Sequence, residues 1–354
     1  MKGLALLLAL AAASGASAQT PAPNPMMQAR PFATIDFFGH GTIDVDILRK
    51  ALPIHEGDQI SPEDAAKLTP RIKAAAQSVM PRLANARLEG VCCAANGGVH
   101  LFVGLEEGVS PPAHFRPAPT GDAKLPPDLV AADATLQSAL FKAVSEGHSA
   151  EDDSQGHNLS TEVPALRHLQ EQQVALAAGH LDLLRQVLRE SADGEQRAMA
   201  ARFLGYAPDM QAVVDDLVQA MSDPQPGVRN DALRALVVFS RAKTPPRIPY
   251  APFVDLLDTP VWTDLNKSSL ALMALSKRRD PDLLAQLRRQ SMPTLLLMAR
   301  WHDRDHSMPA YWMLGEIGGL PDEAIQDAWD KADPEPVIRA ALGPGPIASN
   351  PGSR

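Results

Sequence analysis

The sequence predicts a mainly α protein in two parts: a small α+β module, then an α-helical solenoid filling the C-terminal half. Three observations carry this. A short residue frame recurs between positions 197 and 339. Strand and hairpin signals cluster before residue 107. A Pro-rich stretch separates the two regions.

The chain opens with Met1-Lys2, an unbroken apolar run from Leu4 to Ala13, and the small residues Ala16-Ser17-Ala18 before Gln19. This is the three-part pattern of a secretory signal peptide, expected over residues 1–18. The run is shorter than the roughly 20 apolar residues that span a bilayer. No later segment is long and apolar enough to cross one, and no cysteine at the cleavage site suggests a lipid anchor. A periplasmic or extracellular location is expected.

The formal net charge of −9 and the 5% aromatic content argue against a nucleic-acid sheath, which wants a basic stripe. They also argue against an anionic lipid surface. The two cysteines, Cys92 and Cys93, are neighbours, and in a strand their side chains point to opposite faces. Two unpaired thiols, one inside and one out, fit best. A strained vicinal disulfide in a turn and bridges to another molecule remain open. One such pair lacks the ligand count of a structural zinc site.

Residues 19–31, rich in Pro and Ala, read as a flexible lead-in. Phe32 to Phe38 reads as a strand closed by Gly39-His40-Gly41, and Ile43 to Leu52 as a short helix with Ile43, Ile47 and Leu48 apolar. Ser61-Pro62-Glu63-Asp64 starts a second helix, with a serine cap, a first-turn proline and acids at the positive end of the dipole. It is expected to run to about Val79. Arg87 to Cys93 and Val99 to Leu105 flank Asn96-Gly97-Gly98, a hairpin signal.

This strand-helix-helix-strand-strand order over 32–107 resembles a POTRA domain, a module of outer-membrane assembly and secretion proteins. The matching residues are Ile35-Asp36-Phe37-Phe38-Gly39, Ile47 to Leu52, Glu56-Gly57-Asp58-Gln59-Ile60-Ser61 and the hairpin ending at Glu106. Only one copy is present and no β-barrel follows, which departs from the family's barrel-assembly context. An unrelated small α+β module is the alternative.

Residues 108–126 read as a Pro-rich linker, and 127–163 as a helix and an acidic loop. The helix, Pro127 to Gly147, carries Leu129, Leu136, Leu140 and Val144 along one side. The loop runs from His148 to Ser160.

From 164 to 342 the pattern is repetitive. Arg-x-x-Ala-x-x-x-Leu appears as Arg197, Ala200, Leu204 and as Arg229, Ala232, Leu236. It returns more weakly as Asn266, Ser269, Met273 and as Ser307, Ala310, Leu314. Asp333-Pro334-Glu335-Pro336 before Ile338-Arg339 echoes Asp223-Pro224-Gln225-Pro226 before Val228-Arg229. An apolar helix precedes each frame: Leu181 to Leu188, Val213 to Met221, Phe253 to Leu257, Leu283 to Leu297, and Ala324 to Trp329. A helix pair of this size cannot bury its apolar face alone, so neighbours must stack. The small central residue allows close approach, and the Asp and Arg at the turn can bridge successive repeats. The array resembles HEAT repeats, an armadillo-like helical family, and residues 343–354 read as a disordered tail.

A solenoid implies a protein-binding surface on the second helix of each pair, where Arg202, Asn230, Arg234, Lys267 and Arg278 are candidate contacts for a partner protein. Met298, Trp301, Trp312 and Met313 read as core. Two clusters offer a metal alternative: His302, Asp303 and His306, and the loop residues His148, Glu151, Asp152 and His157. No Ser-His-Asp spacing, nucleophile elbow, phosphate loop or zinc motif is present, and no cofactor is expected. The only His-Glu step, His55-Glu56, lies outside the repeats, unlike the pairs of HEAT-type iron hydroxylases. The reading is an exported interaction scaffold of the cell envelope rather than an enzyme. A metal-binding protein or metal-dependent enzyme, and a purely structural envelope component, are the alternatives.

Overall fold

The computed structural model describes residues 29–40, 43–92, 94, 97–107 and 115–343. The expected signal peptide, most of the lead-in, Cys93, the hairpin tip at Asn96, residues 108–114 and the tail from 344 lie outside the described residues, as does the side chain of Cys92.

The N-terminal module comprises β1 (Arg30–His40), α1 (Val45–Ala51), β2 (Gln59–Ile60), α2 (Pro62–Val79), β3 (Leu83–Cys92) and β4 (Val99–Glu107). Its sheet has the order β2-β1-β4-β3, with β1 parallel to β4 and antiparallel to the short β2, a strand the sequence pattern did not signal. Ser61 caps α2 by accepting from the Asp64 N–H, as expected from its sequence. β1 runs through Gly39 instead of stopping there. Gly39 holds φ +120° opposite Leu105, and a Cβ there would lie 2.0 Å from the Leu105 carbonyl oxygen. Only glycine lets the ladder continue.

Strand alternation divides the sheet's side chains between two cores. Ile35, Phe37, Leu101, Val103 and Leu105 pack with Leu48, Ile72 and Ala76 of α1 and α2. Phe38 and Phe102 face the other way, into the core of the helical array. Both sheet faces are covered, so Phe37-Phe38 and Leu101-Phe102-Val103 read as continuous apolar runs.

The described part of the expected linker lies along the array. Arg116 donates to Asp223 at 2.8 Å, Gly121 N–H to the Glu190 carbonyl at 2.8 Å, and buried Leu125 N–H to Gln196 at 2.7 Å. Next come α3 (Pro127–Ser145) and the small hairpin β5 (Glu151–Asp152) and β6 (Leu159–Ser160), formed within the expected acidic loop. In α3, Leu129, Asp133 and Leu136 are buried, but Val144 points to solvent with Phe141.

Helix α4 (Pro164–Gly179) precedes five helix pairs. These are α5 (Leu181–Glu190) with α6 (Gly194–Leu204), α7 (Met210–Ala220) with α8 (Pro226–Arg241), and α9 (Ala251–Leu256) with α10 (Trp262–Ser276). Then α11 (Pro281–Gln290) and α12 (Met292–Met298) pair with α13 (Arg304–Ile317), and α14 (Asp322–Asp330) with α15 (Glu335–Leu342). Every recurring frame sits on a second helix, and α6, α8, α10, α13 and α15 touch in succession. Ala200, Leu204, Ala232, Leu236, Ala310 and Leu314 are fully buried where these helices meet. The expected single helix Leu283 to Leu297 is broken at Ser291, before Pro293, which has no N–H to give to an intrahelical bond. The break turns α12 against β1.

Between repeats runs a buried ladder of charge pairs. The Arg197 guanidinium makes two 2.8 Å bonds to the carboxylate of Asp223, and Arg229 grips Asp264 through bonds of 2.7–3.1 Å. Both arginines are 1% exposed, and the Phe115 ring lies 4.0 Å from the Arg229 guanidinium carbon. Arg339 does not repeat this: it is exposed, because no described helix follows α15 for it to bridge. Removing one partner of such a pair strands a buried charge. Arg229→Ala is therefore expected to cost about 3–5 kcal/mol in denaturant unfolding, while Arg229→Leu with Asp264→Leu recovers most of that loss.

Candidate functional site

The second-helix row is walled on one side by α3 with the β5–β6 hairpin, and approached on the other by β3. Between α3, the hairpin and the α6–α8 part of the row lies a pocket of about 630 Å3, including its open mouth, floored by Phe203, Ala235 and Val238 and walled by Leu136 and Leu140. Asp133 fastens α3 to the row: it interrupts the apolar side of α3 one turn after Leu129, and both its oxygens accept from Arg202, at 2.9 and 2.7 Å. Arg202 also reaches Asp231 of α8, so a single guanidinium ties three helices together. Burial still holds the Asp231 carboxyl above its ordinary range, offset by Arg202.

Of the expected contact residues, Arg202, Asn230, Arg234 and Lys267 come together here. Their states differ. Arg202 is spent on its two aspartates, and Asn230 donates to Asp231 at 3.0 Å. Arg234 is exposed at the pocket rim, and Lys267, outside the pocket lining, is half-buried within reach of its charge. Neither makes a hydrogen bond or ion pair among the described residues. Burial, then repulsion from Arg234, pushes the Lys267 ammonium down to about 8, against the attraction of Asp231, Asp264 and Glu89. Tyr206, at the base of the pocket, is pushed up to about 12 by burial and the nearby Glu151 charge. Arg278 is not part of the groove. It falls in the turn after α10, past the Lys277 cap, where it faces away with Arg247 and Tyr250.

Asp133, Tyr206, Phe141 and Glu89 of β3, whose charge acts on Lys267, were not expected from the sequence. Asp133 alone left a local signal, a carboxylate between Leu129 and Leu136 on an apolar helix face.

The candidate metal residues have other duties. The turn carrying His302, Asp303 and His306 is where the N-terminal sheet docks. The His302 N–H donates to one oxygen of buried Asp36 and the Asp303 N–H to the other, both at 2.9 Å. His302 Nδ1 lies 2.7 Å from Glu56, and His306 Nδ1 2.8 Å from Asp303, which caps α13. In the loop cluster, His148 stands 3.9 Å from Glu162, Asp152 accepts from the Ser154 N–H at 3.0 Å, and His157 stacks on Tyr206. Glu151 turns toward the pocket. Among the described residues no group of three or more His, Cys, Asp or Glu is arranged to hold a metal ion. Met298, Trp301 and Met313 are buried core, while Trp312 is half-buried under the Lys277 ammonium.

The depressed Lys267 ammonium has a signed consequence. The folded state disfavours the charged form, so the penalty is full below pH 8 and disappears as pH rises toward the unfolded lysine value near 10.5. Lys267→Met is expected to stabilise the protein by about 1–2 kcal/mol at pH 7, after discounting for partial exposure. The difference from the parent should shrink between pH 8 and 10.5 in urea unfolding. A gain that is flat across that window would mean the lysine is unperturbed.

No curated protein matches the chain. An engineered protein, solved by crystallography as Northeast Structural Genomics Consortium target OR329, aligns over 51% of this chain and 91% of its own, with 18% identity and a TM-score of 0.35. Residues 181–270, from the start of α5 into α10 in the C-terminal half of the chain, match the family model for HEAT repeats.

Proposed function

We propose that this chain is an exported interaction scaffold of the cell envelope, which binds a protein partner along the second helices of its HEAT array. The observation that carries this reading is the groove itself. The α6–α8 part of the row is walled by α3 and the β5–β6 hairpin, and beside it stand two cations, Arg234 and Lys267, that make no hydrogen bond or ion pair among the described residues. HEAT repeats commonly serve protein–protein contacts, and the groove gives this array a defined surface for one. The export part rests on the pattern in residues 1–18, which predicts a periplasmic or extracellular mature chain. A POTRA-like identity for the N-terminal module, consistent with its strand and helix order, would suit an envelope setting. No described helix is long and apolar enough to cross a membrane.

A photocrosslinking amino acid at Asn230, part-exposed on α8 next to the pocket residue Asp231, tests this in intact cells. The expected result is a discrete heavier species in the periplasmic or secreted fraction, absent when the crosslinker sits at Gln219 on α7. Self-crosslinks alone, or equal labelling from both positions, would count against a partner in the groove.

A further inference from the structure

Two independent features of the groove specify what should fill it. The first is charge. Along the row, Arg197, Arg202 and Arg229 are each held by aspartates of this chain. Arg234 and Lys267, next in line, have no hydrogen bond or ion pair among the described residues. The nearest aspartates are already engaged, Asp231 by Arg202 and Asp264 by Arg229, and Glu151 across the pocket attracts Arg234 without forming an ion pair with it. The second feature is apolar. Gln137, Phe141 and Val144 stand four and three residues apart on α3 and so share one face. Phe141 is 63% and Val144 60% exposed, and Gln137 lines the pocket beside Leu136 and Leu140. An apolar ledge thus leads from solvent to the pocket, with Arg234 on the pocket's rim and Lys267 next to Arg234 outside the lining.

We propose that the groove receives an acidic, amphipathic peptide segment of a partner protein, its apolar side chains on the Phe141–Val144 ledge and in the pocket, its carboxylates on Arg234 and Lys267. This deepens the scaffold reading and rests on it. Residues 1–28, 108–114 and 344–354 contain no Asp or Glu side chain, so these segments do not supply the carboxylates. A polyphosphate does not fit either, because Asp231, Glu151 and Glu89 flank the cations and the ledge offers it nothing.

Lys267 gives the interaction a pH signature. The charged groups facing it are Arg234 and Asp231 on α8, Asp264 on its own helix and Glu89 on β3. Of these, Arg234 repels the ammonium and the carboxylates attract it. An added carboxylate would restore the ammonium, so binding takes up a proton and weakens as pH rises through about 8.

A random-peptide display library selected on the purified protein tests this. Enrichment of sequences placing Asp or Glu beside Leu or Phe is expected. The selected peptides should bind roughly tenfold or more weakly to Arg234→Gln and to Lys267→Met, as for a lost charge-assisted bond. Their affinity should fall above pH 8 for the parent but not for Lys267→Met, a variant expected to be more stable, so that weaker binding is not unfolding. Selected peptides without acidic residues, no enrichment at all, or binding indifferent to both substitutions would overturn the proposal. The intact-cell crosslink from Asn230, repeated with Arg234→Gln, separates the two levels. If it persists undiminished, the groove binds a partner but not through these cations, and this inference falls while the scaffold reading stands. If it disappears, both gain.

Discussion

The arrangement depends on one buried carboxylate. Asp36, 1% exposed on β1, sits at the N-terminus of α13 and accepts the His302 and Asp303 N–H groups, with Arg49 at 3.2 Å from its first oxygen. Desolvation still raises its carboxyl above the ordinary range. An anion in this position is favoured by the orphan N–H groups and the positive end of the helix. Moved elsewhere in the interface, the same charge would be buried without donors, at a cost of several kcal/mol. Asp36 therefore fixes where the sheet can dock.

Around it the contact is apolar and close. Phe102 stacks on Trp262 with ring centroids 3.6 Å apart, Trp301 meets Phe102 edge-on, and the Trp301 indole N–H donates to the Phe37 carbonyl at 2.8 Å. Gly104 lets the strand approach the α9–α10 turn: a Cβ there would fall 2.4 Å from the Pro260 carbonyl oxygen. Docked this way, the sheet brings β3 toward α10, so that Glu89 acts on Lys267. Asp133 does the corresponding work from α3. The groove is thus a product of two long-range attachments, while the Arg197–Asp223 and Arg229–Asp264 pairs hold the floor in register. Charges that are satisfied set the shape, and those left over define what the shape can recognise.

How much of this was legible in the sequence follows from range. The repeat was, because stacking a helix pair imposes the same small and apolar positions every time, and Ala200, Ala232 and Ala310 occupy them. Asp223 and the arginines at 197 and 229 were legible at their turns as candidate bridging residues, but Asp264, the partner of Arg229 inside α10, was not. The break at Ser291 had a signal in Pro293 that the apolar run Leu283 to Leu297 obscured. The role of the His302 turn had none: its partner is 266 residues away on a strand, and a histidine pair at helical spacing looks the same whether it faces a metal or a docked sheet. The groove was legible only in part. Lys267 and Arg234 were visible as polar positions on second helices, but that Arg202 would be consumed by Asp133 depended on where α3 came to rest.

The central claim is that module and array form one fixed body, because only then does the groove have a defined shape. In a Cys92→Ser, Cys93→Ser background, spin labels at exposed Arg71 on α2 and Gln219 on α7 report the distance between them by pulsed electron resonance. A single narrow distribution in the parent, broadening when Asp36 is changed to Ala, is the predicted result. A broad or bimodal distribution in the parent itself would mean that the sheet is not held on the array, and the account of the groove would be contradicted.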